Sequence, residues 1–356
     1  MQTRLGIAGG MRMSKPEHPR CNNSEYPSEI TTTLGAFLLP NMTILVGVAG
    51  ITGQFGQLLT CKLLDTNQQV SVRGFCRNKA KLAQNLSSSS SQVEIVEGGA
   101  YDRDQVANFV RGCDIVVCCY LGDNDLMIEG QKVLIDACED EKIPRYLASD
   151  WCLDYTKLEF GQLFTKDPMK HVKAYLGTKE FVKGVHVLIG AFLETLVSPY
   201  FGIYDSGTHT FSHWGEPGVL FETTSYGNAA EFTAQVVLDK EAVGIQRFVG
   251  DTKSMDDIAL AYERVYGIKA NVVIKGSAKQ LYDKMWGVRN QPSSQPNEYM
   301  AMFYQYYMIN EQTYVGPYLQ NLKYPEVKAL TIEEFMRRVP LDQLPVVYSN
   351  PVTERV

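Results

Sequence analysis

From Thr43 onward, short continuous apolar runs alternate with stretches of helical period. Residues 44–49, 70–76, 93–96, 114–119, 145–148 and 185–189 read as strands, and 78–86, 104–111, 128–138 and 168–183 as helices. A further helical pattern (Leu58, Leu59, Cys61, Leu63, Leu64) follows the first strand at once. Strands that are apolar throughout are buried on both faces, which predicts an α/β fold with a doubly wound parallel sheet over residues 42–192. Beyond Phe192 the pattern loosens. Residues 219–224 and 246–249 read as short strands, Asn228 as the cap of a helix over 229–238, and Ser254 with Asp257, Ser277 with Gln280 and Thr331 with Glu334 as helix starts. A smaller α/β C-terminal lobe, interleaved with the sheet, is expected over 193–340. Residues 1–41 carry four prolines and no sustained period and read as a loosely ordered extension; 341–356 read as a tail.

Composition narrows the classes of function. The 356 residues are 45% hydrophobic and 21% charged with a net charge of −6, which favours neither nucleic acid nor an anionic membrane as partner. The most apolar stretch, 185–201, is interrupted by Glu194 and Pro199, and no run reaches the ~18–20 residues of a spanning helix. A cytoplasmic protein is the expectation. The eight cysteines show no CxxC spacing and read as reduced, buried thiols. His209 and His213 stand four apart, but Thr208, Thr210, Phe211 and Ser212 favour strand or loop, so no metal is expected. The pattern does not specify an oligomeric state.

The first strand runs into Gly50-Ile-Thr-Gly53-Gln-Phe-Gly56 and then a helix. A pyrophosphate needs a helix N-terminus with free N–H groups, reached through a turn without a Cβ in the way. Gly50 suits the tight turn, Gly53 the approach of the phosphates, and Gly56 close packing of helix on strand, which makes the sheet Rossmann-type. The second strand holds no acid to accept bonds from a ribose. Arg77 stands at its end instead, with Lys79 and Lys81 after it. A guanidinium grips a 2′-phosphate through two parallel bonds, so NADP(H) is expected over NAD.

These residues resemble the NmrA-like and isoflavone-reductase-like branch of the atypical short-chain dehydrogenases, in its fungal secondary-metabolism form. The resemblance runs from Thr43 to Val339. It rests on the GxxGxxG turn, Gly-Phe-Cys-Arg77-Asn, Arg145-Tyr-Leu-Ala-Ser149-Asp-Trp, Lys166-Asp-Pro-Met-Lys-His-Val-Lys173-Ala-Tyr, Gly190-Ala-Phe192-Leu-Glu and Tyr226-Gly-Asn228-Ala-Ala-Glu-Phe. It implies NADPH across the strand ends, with Gly50, Thr52, Gly53, Gln54, Phe55 and Gly56 around the pyrophosphate and Arg77 with Lys81 at the 2′-phosphate. It places Tyr120 and Gly122 beside the adenosine and ribose, and Gly190 and Phe192 near the nicotinamide. The family's active-site lysine falls on Lys173, with Lys170 as a second contact on the same side. Where the family has Gly-Asp after the third strand, this chain has Gly98-Gly99, which removes any adenine contact from that acid.

Tyr175-Leu-Gly-Thr-Lys179 offers a second catalytic reading, the YxxxK of ordinary short-chain dehydrogenases. Residues 173 and 175 would point about 160° apart on one helix, so only one of them faces the nicotinamide. The serine expected about thirteen residues before Tyr175 is absent, since position 162 is Gln, and Lys173 is the favoured candidate. The segment 299–308 packs four tyrosines, a phenylalanine and three methionines into ten residues. It reads either as a cleft wall for a polycyclic ligand, with Trp151, Tyr299, Phe303 and Tyr306 touching substrate, or as an aromatic core. The expected activity is NADPH-dependent reduction of a hydrophobic natural-product intermediate. Two alternatives are an NADP(H)-sensing regulator without catalysis and a reductase that also guides a cyclisation.

Overall fold

Seven parallel strands form the centre of the molecule, in the order β11-β6-β5-β4-β1-β2-β3. The computed structural model describes residues 43–84, 86 and 91–347. The expected N-terminal extension, most of the serine run at 87–91 and the end of the expected tail lie outside the described residues. The chain runs β1 (Ile44–Ala49), α1 (Gln54–Leu64), β2 (Val70–Cys76), β3 (Val93–Glu97), α2 (Arg103–Val110), β4 (Ile115–Cys118), α3 (Gln131–Asp140), β5 (Arg145–Leu147), α4 (Asp167–Leu176) and β6 (Lys183–Leu188). After β6 come α5 (Leu193–Leu196), α6 (Tyr226–Leu238) and the seventh strand, β11 (Gly244–Arg247). β1 pairs with β2 on one side (Val46 opposite Val72) and with β4 on the other (Val46 opposite Ile115). Strand order therefore reverses between β1 and β4, the position where doubly wound sheets open a crevice beyond their carboxyl ends. Helices cover both faces. Phe75, Phe109, Leu134 and Tyr146 belong to the core on one side, and Val48, Leu59, Val187 and Phe232 to the core on the other.

A third core collects around two small sheets. One is β7 (Ala191–Phe192), β10 (Leu220–Thr224) and β12 (Asp251–Ser254); the other is β8 (Tyr204–Asp205), β9 (Thr210–His213) and β13 (Asn271–Ile274). Phe211, Phe221, Tyr262, Met285 and Phe303 fill that core between the sheets and α7 (Met255–Tyr266), α8 (Ala278–Arg289), α9 (Pro296–Ile309) and α10 (Ile332–Arg338). Cys76, Cys113, Cys118, Cys119, Cys138 and Cys152 are free thiols. No helix among the described residues is long and apolar enough to cross a membrane.

Several local expectations differ from the structure for identifiable reasons. The helix expected over 78–86 is broken: Asn78 is extended and its side chain takes the Ala80 N–H, the 3₁₀ turn Lys79–Lys81 ends at extended Leu82, and helical conformation returns at residues 84 and 86. The helix expected over 168–183 stops at Leu176. Past it, the Glu139 carboxylate accepts the N–H groups of Glu180, Phe181 and Val182 and turns the chain into β6. Ser225, not Asn228, caps α6. Asn228 instead accepts from Leu330 N–H and donates to the Lys328 carbonyl, which anchors the segment before α10. The boxes at Ser254, Ser277 and Thr331 form as expected.

Candidate functional site at the strand ends

β1 leaves the sheet through Gly50, whose φ of +79° and proximity to the Cys119 carbonyl (2.8 Å from an added Cβ) admit no side chain. Gly53 donates to the Gly50 carbonyl at 2.9 Å and caps α1 without a side-chain bond, so the first-turn amides of α1 open at the strand ends. A Cβ on Gly56 would stand 2.6 Å from the Gly50 carbonyl oxygen, which explains how α1 comes so near the turn. Gln54 and Phe55 begin the helix, and the Thr52 carbonyl accepts from Gln57. This cradle fits a pyrophosphate. One residue past β2, Arg77 is exposed, and neither it nor Lys81 ion-pairs with a described residue. Lys79 is held by Glu97 at 3.5 Å.

On the β4 side, Tyr120 is buried and its hydroxyl has no partner, while Gly122 is exposed beside it. Ser149 past β5 donates to the Tyr120 carbonyl at 2.7 Å and ties the two strand ends together. Gly190 follows β6 with φ +71°, and Phe192 stacks on Tyr226 at 3.8 Å with Phe55 at 6.2 Å. Trp151 lies under Phe55 at 4.2 Å and donates its indole N–H to Thr233, a buried position between α1 and α6 rather than a cleft wall.

A lysine that sequence reasoning passed over is buried at this end of the sheet. Lys166 immediately precedes α4, is 8% exposed, and has its ammonium 5.3 Å from the Tyr304 ring centroid. Burial works against its charge, but Cys152, Tyr304 and Asp150 more than offset this and hold its pKa above the ordinary lysine value. Burial also pushes the Cys152 thiol up to about 12. Asp150 is fixed in turn by His186 Nδ1 at 2.7 Å and by the Tyr155 hydroxyl at 3.1 Å. The site thus holds a permanent cation on an ordered, water-poor network. The sequence signal was present: Lys-Asp-Pro starts α4 at Asp167, with Pro in its first turn, and leaves Lys166 just outside the helix.

The other candidates on α4 face elsewhere. Lys173 is exposed. Lys170 donates to Asp167 (2.9 Å) and to the Glu159 carbonyl (2.7 Å). Tyr175 and Lys179 both donate to Asp136 on α3, at 2.6 and 2.7 Å, so the YxxxK pair ties two helices together. Burial raises the Asp136 carboxyl, but Lys179 and Tyr175 pull it below the usual carboxylate range. Its contribution to stability is therefore present above the unfolded pKa and lost as pH falls through the lower folded value. Asp136→Asn is expected to cost about 1–2 kcal/mol at pH 7 and progressively less below pH ~4, and Tyr175→Phe about 1 kcal/mol, by urea unfolding. A turnover defect in Tyr175→Phe without a stability loss would return this tyrosine to the chemistry.

The aromatic segment is α9. Phe303 is fully buried at its centre, Tyr299 packs on Phe164 at 5.8 Å, and Tyr306 meets Tyr282 at 5.2 Å. Tyr304, which sequence reasoning did not single out, carries the ring over Lys166.

Reductases are among the known proteins with this architecture. A structure of pinoresinol–lariciresinol and phenylcoumaran benzylic ether reductases superposes with a TM-score of 0.69 at 15% identity, covering 83% of this chain and 99% of that one. An isoflavone reductase gives 0.67 at 15% identity with the same coverage. A leucoanthocyanidin reductase–NADPH complex from Vitis vinifera gives 0.66 at 17% identity, covering 85% and 99%. At such identities these likenesses show a common fold. Oxidoreductase claK of Passalora fulva is 39% identical over 80 residues, a stretch spanning 22% of this chain and 29% of that protein. The model of the NmrA-like family matches residues 41–336, and the chain belongs to that family.

Proposed function

We propose that the protein is an NADPH-dependent reductase of a hydrophobic, polycyclic small molecule from fungal secondary metabolism. The observation that carries this reading is Lys166, a buried lysine beside Cys152 and Tyr304, with Asp150 near enough to favour its charge. NADPH, when bound, supplies the hydride. The α1 amides and Gly53 bind its pyrophosphate, and Arg77 with Lys81 takes the 2′-phosphate. Tyr120 and Gly122 border the adenosine side, and Gly190 and Phe192 the nicotinamide side. Lys166 points its N–H groups at the substrate oxygen where negative charge develops, and in a site with little water such a fixed donor acts at nearly full strength. Lys173, exposed on α4, is the weaker candidate for that role. Tyr299, Phe303 and Tyr306 belong to the helix that forms the apolar side of the substrate site, with Tyr304 closest to the lysine. The NADPH named in the leucoanthocyanidin reductase complex and the resemblance to claK support the cofactor and the fungal setting.

Calorimetry tests the cofactor half directly. Wild type is expected to bind NADPH far better than NADH, and Arg77→Ala to weaken NADPH about 10–100-fold while leaving NADH unchanged. Equal affinity of the wild type for the two nucleotides would overturn the reading.

A further inference from the structure

Among the described residues, five side-chain polar atoms are buried without a hydrogen-bond partner; two of them, Trp286 Nε1 and Arg289 Nη1, fall in one aromatic cluster, and a third, Thr165 Oγ1, belongs to the residue next to Phe164 of that cluster. Arg289 sits in the last turn of α8. Its guanidinium carbon lies 4.3 Å from the centroid of Phe164, 5.0 Å from Trp286, 5.2 Å from Phe303 and 6.0 Å from Tyr299. Ring faces attract the half-buried cation but give its buried Nη1 no acceptor. A buried charged donor left this way is unfavourable unless something else supplies an acceptor. The indole N–H can only donate and the Thr165 hydroxyl is free to, so the cluster as a whole asks for an acceptor-rich group.

Its place in the fold relates it to the site. Phe164, Thr165 and Lys166 form one 3₁₀ turn, and Tyr304, the ring over Lys166, adjoins Phe303 on α9. Arg289 and Lys166 therefore flank the same turn and the same helix. We propose that Arg289 is a specificity determinant that binds the carboxylate of a flat aromatic substrate. The planar guanidinium fork matches such an oxygen pair, and Phe164 and Tyr299 offer rings to the body of the molecule. This rests on the reading of the strand-end cleft as a reductase site.

The test is calorimetry on the full chain, with and without saturating NADPH, using 3-hydroxy-2-naphthoate and 2-naphthol as probes. Wild type is expected to prefer the naphthoate by about tenfold or more, Arg289→Met to abolish that preference, and Arg289→Lys to keep only part of it, because an ammonium lacks the fork. Thermal unfolding of Arg289→Met is expected to stay within a few degrees of wild type, since the methionine keeps apolar contact with the rings and removes the unbonded Nη1. No preference in wild type, or an intact preference in Arg289→Met, overturns the proposal. Should the Met variant not fold, an undiminished preference in Arg289→Lys overturns it and a reduced one supports it. NADPH titration of the same samples reads the reductase assignment separately: loss of nucleotide binding sinks that assignment, while the naphthoate comparison alone decides Arg289.

Discussion

Lys166→Met is expected to lower kcat about 10³-fold, some 4 kcal/mol of transition-state stabilisation, with NADPH affinity changed by less than about threefold. The side chains match in length, and Met suits an apolar surrounding. Asp150 keeps His186 and Tyr155 but loses a nearby cation, so the variant should fold with a Tm somewhat below that of wild type. The pH profile adds a second readout. Because its pKa is held above the usual lysine value, Lys166 stays charged through neutral and mildly alkaline pH, and no loss of kcat below about pH 10 should trace to it. Lys173→Ala is the comparison. A deep loss there with Lys166→Met unimpaired would give the exposed lysine the role that the family resemblance implies.

What could be read from the sequence, and what could not, follows from the range of the interactions involved. The strands were legible because burial on both faces leaves an uninterrupted apolar run, as at Val46 and Val48. The glycine turn was legible because its demands are local: Gly50, Gly53 and Gly56 answer to backbone atoms within a few residues or on the adjacent strand. The capping boxes at Ser254, Ser277 and Thr331 close over three residues. The lysines were not legible in this way. Lys166, Lys170, Lys173 and Lys179 stand in similar local surroundings, and which one is buried depends on α9, more than a hundred residues later, laying Tyr304 against Lys166. Trp151 reads locally as a wall residue, yet its indole reaches Thr233 on α6. Asn228 reads as a cap but serves Leu330 and Lys328. The error in each case is one of partner, not of residue type.

Gly190→Ala is expected to destabilise the protein by about 3–5 kcal/mol, a large share of the roughly 5–15 kcal/mol that ordinarily holds a protein folded. Two effects combine. The residue is left-handed, at φ +71°, which costs any residue with a Cβ roughly 1–2 kcal/mol. The added Cβ would also collide with the Glu222 carbonyl, and that neighbour cannot move aside easily. Glu222 belongs to β10, which pairs with β7, and its carboxylate holds the N–H groups of Val315 and Gly316. Thr224 on the same strand donates to the Ile189 carbonyl, immediately before the glycine. Relief would therefore shift β10 from β7, and with it Phe192 and the Glu194 carboxylate that accepts the Tyr226 N–H. Gly287→Ala provides the contrast. That glycine lies within α8 with nothing within 4 Å of an added Cβ, and alanine there should stabilise by about 0.4–1 kcal/mol. Urea unfolding of the two variants beside wild type measures both. A loss below about 1 kcal/mol at Gly190 would mean that β7 and β10 separate readily, and the nicotinamide side of the site would then be far more adaptable than this packing allows.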